Sequence, residues 1–206
     1  MGRYFHTIAS MSLLAGTIAT TAIAAAEQQI AVQVVDQKGL PVRDAVVEIG
    51  RPGETAEPVQ FPWRNAMAQR NLAFLPGTLI VARGSSVAFP NLDVVRHSIY
   101  SFSRPARFTI SLYGRDETRS QRFEVSGTVA LGCNIHDQMR GYIRVVETPY
   151  AAKTDQNGIA RIAGLGGGSH PVTVWHPQLR SPGNELKRIV TVASSGGAAR
   201  IPVVLR

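Results

Sequence analysis

One cysteine, Cys133, stands in 206 residues. An internal disulfide framework is therefore excluded, and the thiol needs another account: a bridge to a second chain, an inert buried side chain or a metal ligand. Acidic residues are few, 14 against 22 Lys and Arg, for a formal charge of +8. Aromatic residues are also scarce, at 7%. The basic residues are mostly arginines scattered along the chain, neither gathered into a tract nor interleaved with a stacking motif, which argues against nucleic acid as a partner. Beyond the N-terminal segment no stretch approaches the roughly 20 apolar residues that a spanning helix needs. Long helical runs are missing too. With 19 Gly and 12 Pro, the composition favours short strands and many turns, while 44% hydrophobic residues suffice for a core.

The N-terminus reads as a secretory leader. Arg3 and His6 precede an apolar run from Ile8 to Ile23, and Ala24, Ala25 and Ala26 supply a small-residue cleavage site before Glu27. The run is short for a membrane anchor and is interrupted by Ser10, Ser12 and several threonines. Cleavage is expected near Ala26, with a periplasmic mature chain. The leader removes Arg3 alone of the 22 basic residues, leaving 21 against 14 acidic, or +7.

From residue 27 the chain reads as strands almost throughout. Ile30, Val32 and Val34 alternate with Ala31 and Gln33, and the run ends in Asp36-Gln37-Lys38-Gly39. A second strand covers 45–49, and 51–62, rich in Pro, Gly and Glu, reads as a long connection. Further strands are expected over 79–82, 86–89, 97–102, 108–112, 121–125, 128–131 and 142–146. A last group follows over 159–162, 172–175, 189–192 and 201–205, after Asp155-Gln156-Asn157-Gly158, a hairpin signal that nearly copies the first turn. Such spacing predicts an all-β sandwich architecture. The first pair of strands cannot form a core by itself. Residues 27–57 and 148–206 are therefore read as two halves of one outer β-sandwich, with 58–147 inserted as a second domain.

The densest chemistry lies in Cys133-Asn134-Ile135-His136-Asp137-Gln138-Met139, which sets a thiolate, an imidazole and a thioether within seven residues. Blue copper takes one Cys and two His in a plane with a weak axial Met. His97 is the natural second imidazole: it follows a loop, opens a strand, and is the one other histidine of the inserted segment. The expected metal ligands are thus His97, Cys133, His136 and Met139. The plain alternatives are a buried small hydrophobe for Cys133 and a core filler for Met139. Asp137 reads as a solvated loop carboxylate, and His170 and His176 as surface or hydrogen-bonded histidines of the outer module. A Cys/His nucleophile would need a third, orienting group, and zinc has no use for Met.

These strings carry a resemblance. The Cys133, His136, Met139 spacing with the upstream His97 resembles the cupredoxins, the plastocyanin and amicyanin superfamily. Phe89-Pro90-Asn91, His97-Ser98-Ile99-Tyr100-Ser101-Phe102-Ser103 and Gly132 to Met139 are closest to the plastocyanin-like proteins labelled methylamine utilization proteins. The outer parts, Val34-Val35-Asp36 to Ala45-Val46-Val47 and Lys153-Thr154-Asp155 to Val174-Trp175-His176-Pro177, resemble a carboxypeptidase-regulatory or prealbumin-like module. The resemblance implies a cupredoxin Greek-key sandwich inserted in a small Ig- or prealbumin-like one. It also implies one mononuclear copper, and electron transfer rather than enzymatic turnover, with a redox partner such as an acidic periplasmic cytochrome. Two features depart from the pattern: only Asp137 and Gln138 separate His136 from Met139, and Ser98 stands where many cupredoxins carry Asn. Copper delivery without redox cycling, or a structural module with a vestigial metal site, are the other readings.

Overall fold

A computed structural model describes residues 1–2, 29–50 and 59–206. The expected leader, except for Met1 and Gly2, lies outside the described residues, and so does 51–58 of the Pro- and Gly-rich connection. In chain order the strands are β1 (Gln29–Val35), β2 (Val46–Ile49), β3 (Ala68–Arg70), β4 (Ala73–Leu75), β5 (Thr78–Ala82), β6 (Ser85–Pro90), β7 (His97–Ser103), β8 (Ala106–Tyr113), β9 (Thr118–Phe123), β10 (Gly127–Gly132), β11 (Arg140–Val146), β12 (Ala151–Lys153), β13 (Ile159–Ala163), β14 (Gly168–Trp175), β15 (Glu185–Val192) and β16 (Gly197–Pro202). The fold is all-β. One 3-10 turn, Pro182–Asn184, is the sole helical element among the described residues, and none of their helices is long and apolar enough to cross a membrane.

Strands from the two ends of the chain pair with each other. β1 runs between β13 and β16, antiparallel to the first and parallel to the second, while β2 lies in the antiparallel order β12-β2-β14-β15. Between these two sheets one buried cluster gathers Ile30, Val32 and Val34 of β1, Val47 and Ile49 of β2, and Val172 and Val174 of β14. The intervening strands form the sheet β5-β11-β10-β7-β8, faced by the pair β6-β9. Val87, Phe89 and Phe123 of that pair pack against Leu79, Val81, Ile99, Val129, Leu131, Ile143 and Val145 in a second cluster.

The period-2 alternation of strands explains how these layers stack. Val47 and Ile49 of β2 face the first cluster, so Val46 and Glu48 point the other way. Leu79 and Val81 of β5 face the second cluster, so Ile80 points outward. A third cluster of Val46, Ile80, Val146, Ala151 and Trp175 joins the backs of the four- and five-stranded sheets. Trp63 caps its edge by donating Nε1–H to the carbonyl of Ile80 at 2.9 Å. With both faces covered, all five residues of β5 are buried, and for that reason 79–82 reads in sequence as an unbroken apolar run.

The two copies of the Asp turn share one geometry, and at the first the chain doubles back on itself, Val35 pairing antiparallel with Pro41. Asp36 Oδ1 accepts from the amides of Lys38 and Leu40 at 2.8 and 2.9 Å, and Asp155 Oδ1 from those of Asn157 and Ile159 at 2.8 and 3.0 Å. Gly39 (φ 80°) and Gly158 (φ 70°) take the left-handed position that each turn requires. The expected hairpin at 155–158 is instead a corner: β12 belongs to the four-stranded sheet and β13 to the three-stranded one, as β2 and β1 do at the other copy. Buried Thr154 locks the corners together, accepting from the Ala45 amide at 2.9 Å and donating to the Val42 carbonyl at 2.7 Å.

Several strand bounds also differ from the sequence reading. β9 runs Thr118–Phe123 rather than over 121–125, because its register is set by pairing with β6. β14 reaches back to Gly168, and β16 begins at Gly197 and ends at Pro202, where side-chain alternation alone marks neither limit.

Candidate metal centre

The site lies where two loops meet at one end of the five-stranded sheet. The first runs from β6 to β7 and is pinned by buried Asn91. Its Nδ2 donates to the carbonyls of Val95 and Tyr113 at 2.9 and 3.2 Å, and its Oδ1 accepts from the Asp93 amide at 2.9 Å. Below it, the hydroxyl of Tyr113 shares its one proton between Gln69 Oε1 and the Phe89 carbonyl, and burial pushes the Tyr113 phenol well up. His97 opens β7 with no exposed surface. Pairing with β8 slips there, so that two steps from His97 to Ile99 match three from Tyr113 to Ile110. A bulge of this kind re-aims the side chain beside it.

The second loop leaves β10 at Gly132 and re-enters the sheet as β11 at Arg140. Antiparallel pairing of Gly132 with Arg140 fixes its two ends. Within it the Met139 amide donates to the His136 carbonyl at 2.9 Å, closing a turn. Ser98 ties the loops together: its Oγ accepts from the Asn134 amide at 3.2 Å and lies 3.9 Å from Cys133 Sγ.

Cys133 Sγ stands 3.9 Å from His97 Nδ1 and 3.6 Å from His136 Nδ1, and the donor atoms of the three residues all fall within 4.8 Å of one another. The two imidazoles sit 4.9 Å apart at 59°. Bonds of about 2.3 Å to sulfur and about 2.0 Å to nitrogen, set roughly 110–120° apart, separate such donors by about 3.5–3.8 Å. The residues therefore fit a single metal ion with a soft sulfur and two imidazoles. Cys133 is 2% exposed and His136 partly exposed, so one imidazole edge reaches the surface. Met139, 1% exposed, is buried in the same apolar cluster as Cys133.

His97 is held from behind. Its Nε2 lies 3.0 Å from Asp93 Oδ2. A carboxylate oxygen accepts, so Nε2 carries a proton, and Nδ1 is the ring nitrogen turned toward Cys133. Asp93 in turn accepts from the amides of Asn71 at 3.0 Å and Leu72 at 2.8 Å. Burial pushes the Asp93 carboxyl up, but the Leu72 amide, His97 and the Asn71 amide together more than offset this and hold it below the usual carboxylate value.

Asp137 is exposed and lines an open groove with Tyr100, Phe102, Arg140 and Tyr142, outside the donor group. His170 lies on β14 and His176 directly after it. His170 Nε2 is 2.9 Å from the Gly166 carbonyl, and His176 accepts from the Gln178 amide at 3.3 Å, with burial pushing its imidazole down. Sequence reasoning missed Asp93 and the β3–β4 hairpin that holds it. The one available trace was an acidic residue four positions before His97 in a loop, a weak signal.

No protein-family model matches the chain, and no curated protein matches it. Solved structures similar to it include a purple cupredoxin and several amicyanin variants. A purple cupredoxin from Nitrosopumilus maritimus is 20% identical, with 39% of this chain and 98% of that chain covered, at a TM-score of 0.36. A reduced amicyanin variant is 19% identical, with 48% of this chain and 98% of that chain covered, at a TM-score of 0.38.

Proposed function

We propose that this is an exported, periplasmic copper protein that carries one electron at a time through a centre made by His97, Cys133, His136 and Met139. The observation that carries the reading is the convergence of Cys133 Sγ with the Nδ1 atoms of His97 and His136. Copper, when bound, would supply the Cu(II)/Cu(I) couple. The chain's own residues would do the rest. Cys133 gives the soft anionic donor, His97 and His136 the two nitrogens, and Met139 a weak thioether. Because Asp93, Ser98, Asn91 and the β10–β11 pairing fix these donors, the site changes little between oxidation states. We further propose that 58–147 is a cupredoxin unit inserted in an outer sandwich formed by 27–57 and 148–206, as the sheet pairing and separate clusters favour.

Metal analysis and a visible spectrum of the purified protein test this. The expected result is one copper per chain with a thiolate-to-copper band that disappears on reduction and returns on oxidation. Tight Cu(I) binding without such a band would move the assignment to copper delivery, and absence of copper binding would leave a structural module.

Met139→Leu nearly conserves volume and should cost less than about 1.5 kcal/mol of stability. It should raise the reduction potential, because a weak sulfur donor to Cu(II) is lost. An unchanged potential and spectrum would make Met139 a core residue only.

The partner is proposed to be an acidic redox protein such as a cytochrome. His136 is the partly exposed ligand, and its loop and the β6–β7 loop expose Leu92, Val94, Val95 and Ile135 with the basic Arg96 and Arg140. Charge steers encounter and is screened over about 10 Å at 0.1 M salt. Electron transfer with an acidic cytochrome should be faster than with a basic one and should slow as salt rises. Arg96→Glu with Arg140→Glu should reverse that slope, and rates indifferent to salt and to both substitutions would remove the steering role.

A further inference from the structure

The turn between β3 and β4 is unusual for its residues. Arg70 pairs with Ala73, so Asn71 and Leu72 form a two-residue loop with both φ angles positive, 53° and 57°. Such a loop ordinarily takes Gly or Asn, and an aliphatic side chain there is unfavourable. Leu72 is half exposed, so packing does not explain it. Backbone held in a disfavoured conformation points to a task for that backbone. Here both amides of the turn donate to Asp93, to Oδ1 from Asn71 and to Oδ2 from Leu72. The Asp93 amide is itself tied to Asn91 Oδ1 at 2.9 Å. The carboxylate is thus fixed by two amides and its backbone by a third bond, and its Oδ2 faces His97 Nε2 at 3.0 Å.

We propose that Asp93 is the positioning residue that tunes this centre, acting on the metal through His97. The inference rests on the copper reading above and deepens it. Accepting the Nε2 proton fixes the tautomer in which Nδ1 faces Cys133. A carboxylate in that place also makes the imidazole a stronger donor than a neutral acceptor would. A more electron-rich nitrogen, together with a fixed negative charge just beyond the ring, favours Cu(II) over Cu(I) and so lowers the reduction potential. The β3–β4 turn is the anchor that keeps the carboxylate from rotating away.

Asp93→Asn tests this, because an amide of the same shape can still accept from His97 and Leu72 but carries no charge. In the copper-loaded protein, Cu(II) affinity should fall about 10–100-fold. Cu(I) affinity, resting more on sulfur, should change less, so the potential should rise by about 59 mV for each tenfold loss confined to Cu(II). The thiolate-to-copper band should persist, since Cys133 is untouched. A variant that binds copper with unchanged Cu(II) affinity and potential overturns the proposal while leaving the copper assignment standing. A second measurement needs neither the variant nor copper. Nitrogen-15 NMR of the metal-free wild-type protein should find neutral His97 protonated at Nε2, with that proton slow to exchange. A proton on Nδ1, or an Nε2 proton in free exchange with solvent, overturns the role of Asp93 even if the variant fails to fold. Absence of a thiolate-to-copper band in the wild-type protein would instead count against the copper reading alone.

Discussion

Cys133→Ser abolishes the thiolate-to-copper absorption and removes most of the Cu(I) affinity, the largest functional effect expected of any single substitution in this chain. Serine offers a harder oxygen that stays protonated at neutral pH, where copper, above all Cu(I), favours a soft thiolate. No other cysteine exists to take over. The fold should survive. The serine side chain would occupy a smaller volume, and its hydroxyl would find the nitrogens of His97 and His136 within reach of small adjustments, since Cys133 Sγ stands 3.9 and 3.6 Å from them. A hydroxyl that keeps a partner costs about 1 kcal/mol or less, which for a chain of this size is about 2–4 °C in Tm. Metal-free melting temperatures and copper titrations of the two proteins separate the effects. A variant that keeps both the copper and the band would place the centre elsewhere.

The parts of this molecule legible in its sequence are those written in local pattern. Ile30, Val32 and Val34 alternate because β1 has one face on the core, and they fall where expected. Cys133 and His136 were legible because one short loop carries both, and a loop needs no knowledge of the rest of the fold to bring its own side chains together. His97 came from its place, after a loop and at the start of a strand, and from the lack of another histidine in the segment, and the structure sets it beside Cys133. Pairing between distant segments was not legible. The parallel contacts of β1 with β16 and of β5 with β11 join strands far apart in the chain, and nothing local marks them. The corner at Asp155-Gln156-Asn157-Gly158 shows the same limit. Its four residues specify the turn, but whether the flanking strands pair or diverge depends on β1 and β2, far earlier in the chain. Asp93 escaped for a related reason, since its meaning depends on a distant hairpin whose short strands, Ala68–Arg70 and Ala73–Leu75, carry too few residues to show a period.

Arg144 is the position where the largest loss of stability is expected. It lies on β11 among residues that pattern as core, and alternation turns it away from Ile143 and Val145 toward the back of the four-stranded sheet. There its Nε meets Glu48 of β2, and its Nη1 donates to Glu185 of β15 at 2.6 Å and to Thr128 of β10 at 2.9 Å. Its side chain is 7% exposed. Burial, joined by the neighbouring Glu185 charge, raises the Glu48 carboxyl even though Arg144 bonds it and lowers it, as expected where two carboxylates share one guanidinium. Burial also opposes the charge on Arg144, but the two carboxylates outweigh it and keep the guanidinium charged. The cluster therefore joins the two sheet systems with little net gain over an apolar contact, yet it cannot lose one member cheaply. Arg144→Ala would leave Glu48 buried beside Glu185 without the guanidinium that both carboxylates bond, at a cost of about 3–5 kcal/mol. For a chain of this size that is roughly 6–20 °C in Tm. Adding Glu48→Leu and Glu185→Leu to Arg144→Met should recover most of the loss, because replacing a whole buried ion group by apolar side chains is often near neutral. The copper spectrum should stay the same throughout, since Arg144 pairs with Thr128 at the far end of β10 and β11 from the Gly132–Arg140 pair that fixes the metal loop. Calorimetry of the single and triple variants decides it. If Arg144→Ala melts with the wild-type protein, the ion cluster does not couple the sheets, and Trp175, Ile80 and their apolar neighbours hold them together without it.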